Sequence, residues 1–168
     1  EFRRVLFRSR SVRRLVQRRQ PPNVPRERIV THPFRELVRA SVSRFDRAGV
    51  WTDRAWDWAA HDFAAWAGRC LRPGTRAVFG SEYNSLEMFD VARSRGLPRI
   101  LELPSAEHDF VAATVARERE RAGGIERDAY AQHTDALREQ RTSRRRKEVE
   151  LATLVIVNSP FARDTYAN

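Results

Sequence analysis

The chain has 168 residues, a net charge of +10 and 41% hydrophobic residues, which is one domain's worth of sequence and too apolar for a disordered chain. Its single cysteine, Cys70, excludes an internal disulfide and points to a reducing compartment, the cytoplasm. No apolar run approaches the roughly 20 residues of a membrane-crossing helix, and the basic balance attracts phosphate, whether on nucleic acid, anionic lipid or a nucleotide.

Residues 1–9, Glu-Phe-Arg-Arg-Val-Leu-Phe-Arg-Ser, resemble the translation of a sequencing-library adaptor and are set aside as an artefact. Residues 10–27 are basic and contain Pro21, Pro22 and Pro25. They read as a linker or partial element with a short helical start. A third segment, 28–168, carries the regular patterns, and the chain stops at Asn168 as a helix opens, so a fragment cut at both ends is expected.

Arg28 to His32 predicts a short strand closed by Pro33. Phe34, Leu37, Val38, Val42 and Phe45 fall on one helical face, ended by Gly49. Thr52 or Asp53 then caps a second helix. Along it Trp56, Ala59, Ala60, Phe63, Trp66, Ala67 and Cys70 form a stripe that reads as core rather than binding platform. Arg72 to Thr75 is a turn, and Ala77 to Phe79 is the first strong strand. Asn84 with Glu87 has the spacing of a capping box for a helix that stops at Gly96. Ile100 to Leu103 is the next strand, and the strand–helix–strand unit suits a parallel crossover. Ser105 can cap a helix running to Arg121, which Gly123 and Gly124 break. A long helix from Ile125 to Ala152 follows, then a strand from Leu154 to Val157, then a last helix opened by Ser159 and Pro160. Short apolar strands alternating with helices predict an α/β fold: an open, Rossmann-like parallel sheet with flanking helices, whose ligand lies at the carboxyl ends of the strands.

The candidate chemistry collects at those ends. Gly80 and Ser81 follow a strand directly; glycine lets a ligand approach the backbone, and Ser81 with the helix amides beyond can receive an anion. No G-x-G-x-x-G or Walker A pattern is present. His108 lies in the first turn of a helix after a strand, where a neutral imidazole can hydrogen-bond a sugar hydroxyl or a reacting oxygen. Glu107 and Asp109 are first-turn helix charges. Asn158 and Ser159 end a strand, and Ser159 is equally well a helix cap. The run Arg141 to Lys147 reads as a solvated helix face, or as a patch for anionic lipid or an acidic substrate. His61 and Asp62 read as structural. The four histidines and Cys70 show no metal-ligand spacing.

Taken in order, His61-Asp-Phe-Ala-Ala-Trp-Ala-Gly-Arg69, Val78-Phe-Gly-Ser-Glu82, Ala92-Arg-Ser-Arg-Gly96, Leu101-Glu-Leu-Pro-Ser-Ala-Glu-His108, Lys147-Glu-Val-Glu-Leu-Ala152 and Leu154-Val-Ile-Val-Asn-Ser-Pro-Phe161 resemble the N-terminal domain of family-four retaining glycosyltransferases. The likeness covers about residues 30–168. It implies the incomplete N-terminal half of a GT-B fold, facing a second domain across a cleft. It further implies transfer of a sugar from a nucleotide-sugar donor to a glycan, lipid or small-molecule acceptor with retention, without a metal or other cofactor. By the same resemblance His108 is the catalytic histidine. Gly80, Ser81, Glu82, Tyr83 and Ser159 line the substrate cleft. The glycine-rich first loop of that family is absent here or was lost upstream, and its paired-glutamate donor motif belongs to the other half, so this chain alone is expected to be inactive. A peripheral contact with the inner face of the membrane is compatible with the charge. The alternatives are a basic nucleic-acid-binding module, which lacks a recognition motif here, and another Rossmann-type nucleotide-sugar enzyme such as an epimerase, which lacks the glycine fingerprint.

Overall fold

The computed structural model describes residues 24–124 and 128–167, without the side chain of Arg26; the readings for 1–9, for most of 10–27 and for the start of the long helix at Ile125 lie outside the described residues. The chain divides into two compact units, one ending at His32 and one starting at Pro33.

In the first unit the described part is the 3-10 turn Arg26–Arg28, closed by the Arg28 amide on Pro25 O at 2.9 Å. The strand expected over 28–32 does not form. A short apolar stretch needs a ladder partner, and among the described residues the strands pair only with one another.

The second unit runs α1 (Pro33–Val42), α2 (Val50–Arg69), β1 (Val78–Ser81), α3 (Leu86–Ser94), β2 (Arg99–Leu103), α4 (His108–Arg121), α5 (Ala129–Leu151), β3 (Leu154–Val157) and α6 (Pro160–Tyr166). The three strands lie in the order β1-β2-β3, all parallel, as the alternating pattern predicts. The unit is therefore α/β with a small open parallel sheet of the Rossmann-like kind.

Register assigns the sheet its two faces. Gly80 pairs with Leu101, and Leu101 with Val155. Residues of this phase face the core, where Val78, Leu101 and Leu103 pack against Met88, Phe89 and Ala92 of α3, with Val149, Leu151 and Val157 at the margin. The opposite phase carries Phe79, Ile100 and Leu154 side by side. Here Phe79 is 57% exposed and Leu154 54%. Parallel sheets normally bury both faces; among the described residues this one is covered on one side only.

Helix ends depart from the simple reading in instructive ways. α1 stops at Val42 in a turn, and Phe45, assigned to its apolar face, is 86% exposed. Gly49, at φ 77°, starts α2 instead of ending α1. Neither Thr52 nor Asp53 caps α2; the Asp46 carboxylate accepts the Thr52 amide at 2.6 Å. Asp53, Ala60, Ala64 and Gly68 form the buried face of α2. The tryptophans flank that face and do not make the core: small side chains let α2 lie close to α3 and α5, and bulky rings are displaced to the edges. α3 ends as expected at Gly96, with φ 67° and the Leu97 amide on Ala92 O at 2.9 Å. Ser159 caps α6, taking the Ala162 amide at 3.1 Å, with Pro160 in the first turn. Among the described residues no helix is long and apolar enough to cross a membrane.

Candidate functional site

β1 and β2 end side by side, and each hands over to a turn that carries an ionisable group. The ladder runs one bond past β1, from the Glu82 amide to Glu102 O at 3.0 Å, and so fixes where Glu82 begins. Beyond β2, Pro104 breaks the strand and α4 begins at His108. Ser105, expected to cap α4, does not: Glu107 does, accepting the Phe110 amide at 2.8 Å. A longer acidic side chain reaches the first-turn amides from the position next to the helix, and the Ser105 hydroxyl is freed to donate to Glu82 Oε2 at 3.1 Å.

Glu82 is the centre of the arrangement. Its carboxylate is only 9% exposed. Oε1 lies 2.7 Å from His108 Nε2, 3.4 Å from the Tyr166 hydroxyl on α6 and 3.6 Å from Arg145 Nε on α5. Burial pushes the Glu82 carboxyl up, but the His108 hydrogen bond and charge, with Arg145 and Ser105, outweigh burial and hold it below the ordinary glutamate range. An ionised carboxylate only accepts, so Nε2 of His108 carries the donated proton. Burial first, and then the charge of Glu82, pushes the Tyr166 phenol up, so it stays a donor. A carboxylate–imidazole pair of this kind fixes ring orientation, the prerequisite for acid–base or hydrogen-bond chemistry at Nδ1.

The other sequence candidates are distributed differently. Gly80 faces inward: a Cβ there would lie 2.0 Å from Ser85 Oγ. Its smallness accommodates Ser85, whose hydroxyl donates to Ser81 O at 2.7 Å. Ser81 points to the other face, with its hydroxyl 3.3 Å from Glu102 Oε2. Tyr83 is 3% exposed and holds φ 72°. Its ring stacks on Trp56 with centroids 5.1 Å apart, and its hydroxyl donates to Asp57. Burial and Asp57 push that phenol up to about 12. Ser159 is occupied as the α6 cap, and Asn158 donates to Pro104 O at 2.6 Å, tying the end of β3 to the end of β2. Of the residues singled out in the sequence, Glu82 and His108 are thus brought into direct contact.

The capping box expected from Asn84 and Glu87 is replaced by a remote cap. Glu148 of α5, fully buried, takes the amides of Ser85 and Leu86 on Oε1, at 2.8 and 2.9 Å, and that of Tyr83 on Oε2, at 2.5 Å. Glu87 turns instead to Arg144, which binds it through both terminal nitrogens at 2.8 and 2.6 Å.

The Arg141–Lys147 run is not a solvated face. Arg144 is 7% exposed, and Arg141 binds Asp53 through NH1 and NH2 at 3.2 and 2.6 Å, beside His133 at 3.0 Å from the same carboxylate. The acids that absorb these arginines lie on α2, α3 and the loop after β1, far away in sequence, so the run alone gives no sign of them. Arg146, which pairs with Asp109, and Lys147 are the exposed members. Asp62, as expected, is structural: Arg35 holds it at 2.9 and 3.1 Å. Among the described residues no group of three or more His, Cys, Asp or Glu side chains is placed to hold a metal ion.

Ser105, Tyr166 and Arg145 are the members of the site that the sequence reading missed. Ser105 and Arg145 each had a commoner reading, as helix cap and solvated charge, and Tyr166 comes from an element that meets the others only in the folded sheet. Comparison of the chain with protein-family models, with curated proteins and with solved structures gives no match in any of the three.

Proposed function

We propose that the chain is the acceptor-side domain of a family-four, GT-B-fold retaining glycosyltransferase, moving a sugar from a nucleotide-sugar donor to an acceptor. The observation that carries this reading is the His108–Glu82 contact of 2.7 Å at the carboxyl ends of adjacent parallel strands, where open α/β sheets receive their ligands. It joins two residues that the family resemblance names independently.

In this reading His108 Nδ1 hydrogen-bonds a hydroxyl at the reacting centre, and Glu82, Ser105 and Tyr166 keep the ring in place. The donor's diphosphate is held mainly by a second domain, whose oriented amides stabilise the charge on the leaving group. Ser81 and the Ser159 turn stand at the same rim as secondary contacts. The alternative of a nucleic-acid module is weakened by the arginines of α5, since Arg141 and Arg144 bind internal carboxylates and are not offered to a phosphate backbone.

The test is transfer by the protein extended through whatever the coding sequence specifies after Asn168. Nucleotide release from a nucleotide sugar, with product of retained anomeric configuration, is the expected result. Absence of transfer from any of the common uridine and guanosine diphosphate sugars, in a folded protein with two α/β domains, overturns the reading.

A further inference from the structure

A cavity of about 290 Å³ opens between α4 and α5, with His108 at one end. That volume is near the small limit of ligand sites and suits a compact molecule. One wall is apolar and half-exposed, Val111 at 39% and Val115 at 42%. The other wall is cationic, with Arg119, Arg138, Arg141 and Arg145 against one acid, Asp135.

The four cations differ in what they already hold. Arg141 is bound to Asp53, and Arg119 lies 3.9 Å from Asp135. Arg138 is exposed and makes no ion pair among the described residues. Arg145 is the unusual member. Its guanidinium sits over the Tyr83 ring, 4.6 Å from the centroid, and its nearest carboxylate oxygen is 3.6 Å away, beyond hydrogen-bond reach. Its Nε is buried without a partner, and Thr142, which lines the same cavity and is 2% exposed, has an unpartnered hydroxyl. Burial pulls the Arg145 guanidinium below the ordinary arginine value despite Glu82 and Tyr83. Five N–H donors in a fixed fork, on a largely buried side chain that makes no hydrogen bond among the described residues, are the geometry that recognises phosphate.

We propose that the α4–α5 cavity binds a phosphomonoester, with Arg138 and Arg145 holding the phosphate and Val111 and Val115 covering the ligand's apolar edge. A dianion matches Arg138, which has no ion pair among the described residues, and Arg145, which faces Glu82 at 3.6 Å without a hydrogen bond, and its three terminal oxygens can use the Arg145 fork and Arg138 together. Resting on the glycosyl-transfer reading, the ligand is the acceptor, anchored by its phosphate so that a hydroxyl lies at His108.

The experiment is calorimetric titration of the chain at fixed ionic strength with glycerol 3-phosphate and with glycerol, alongside co-sedimentation with phosphatidylcholine vesicles with and without phosphatidic acid. Saturable binding of glycerol 3-phosphate but not glycerol is expected, weakened at least tenfold by Arg138→Gln and by Arg145→Gln. Val115→Trp, which fills the cavity from an exposed position, should abolish binding and keeps the test open should Arg145→Gln fail to fold. Binding confined to phosphatidic acid vesicles, and still lost in Arg138→Gln, assigns the phosphate to a lipid headgroup. No saturable binding in either arm, or binding indifferent to Arg138→Gln and Val115→Trp, overturns the proposal. These readouts need no turnover: phosphate binding in a protein without transfer activity removes only the glycosyltransferase reading, and transfer without phosphate binding removes only this one.

Discussion

Glu148 Oε1 lies 2.8 Å from the amide nitrogen of Ser85, a residue 63 positions earlier in the chain. The contact makes α5 the cap of α3. It also holds the loop after β1 in the shape that delivers Glu82 to the site, including the left-handed backbone of Tyr83. Removing this carboxylate leaves three amides and part of the Arg144 charge unsatisfied. Glu148→Ala should therefore cost about 3–5 kcal/mol, the scale for breaking a buried charged network. Glu148→Gln should cost less, about 1–3 kcal/mol, because its carbonyl can serve Ser85 and Leu86 while its NH2 opposes the Tyr83 amide. Urea unfolding monitored by circular dichroism measures both, and equal stability of Glu148→Ala and the parent would refute the remote cap.

Gly80→Ala tests a different feature of the same loop. The added methyl would lie 2.0 Å from Ser85 Oγ and 2.8 Å from Ser85 Cβ. The hydroxyl can rotate away at the cost of its bond to Ser81 O, but the Cβ is anchored to backbone. A loss of about 1–3 kcal/mol is expected, the usual scale of overpacking. The double variant Gly80→Ala with Ser85→Gly removes the obstacle and should recover part of the loss in the same urea titration.

The acid limb of stability should belong largely to Glu82 and Glu87. Both sit below the ordinary glutamate value: burial raises them, but His108 outweighs it at Glu82 and the Arg144 hydrogen bonds outweigh it at Glu87. As pH falls through about 4.3, the value in the unfolded chain, that chain takes up protons which the folded state still refuses. Their contribution is thus complete above that pH and is lost on the way down to their folded values. Glu148 runs the other way, since burial holds it above the ordinary value in spite of its amides and Arg144. Its effect is to lower stability as pH rises from that unfolded value toward its own higher folded one. Glu82→Gln should accordingly flatten the loss of stability between about pH 5 and pH 3. Unfolding midpoints at a series of pH values give the comparison, and parallel curves for variant and parent would contradict it.

The parts of the fold that local chemistry decides were legible in the chain. Leu154 to Val157 had no other use than a strand, Gly96 and Ser159 sit where their backbone and hydroxyl terminate helices, and the parallel class follows from strands separated by helices. What stayed hidden was set by residues far apart in sequence. Arg141 and Arg144 look like solvent charges until α2 and α3 bring Asp53 and Glu87 to them. Asn84 and Glu87 have capping-box spacing, but Glu148 occupies the amides first, and Glu87 is drawn to Arg144. The tryptophans of α2 outweigh its alanines in any hydrophobicity pattern, yet close helix packing selects Ala60, Ala64 and Gly68 for the inside. At the site, His108 was identifiable from its place after a strand and Glu82 through the family resemblance; their contact was not, because it depends on β1 and β2 being neighbours in register.

Under the glycosyl-transfer reading, His108 and Glu82 make separable predictions for the protein extended past Asn168. His108→Ala should lower kcat by about 10²–10⁴, the range for loss of a positioned acid–base group. Its stability should fall by only about 1 kcal/mol, because Glu82 keeps Ser105, Tyr166 and Arg145 as partners. Glu82→Gln leaves the imidazole in place but without a carboxylate on Nε2, so it acts through positioning. It should lower kcat more than it raises KM, since the ring loses the partner that fixes its orientation. A purely structural role for Glu82 would instead reduce the yield of folded protein with kcat and KM per folded molecule unchanged. Steady-state rates normalised to folded protein decide between the two, and wild-type kcat in His108→Ala would remove the imidazole from the chemistry altogether.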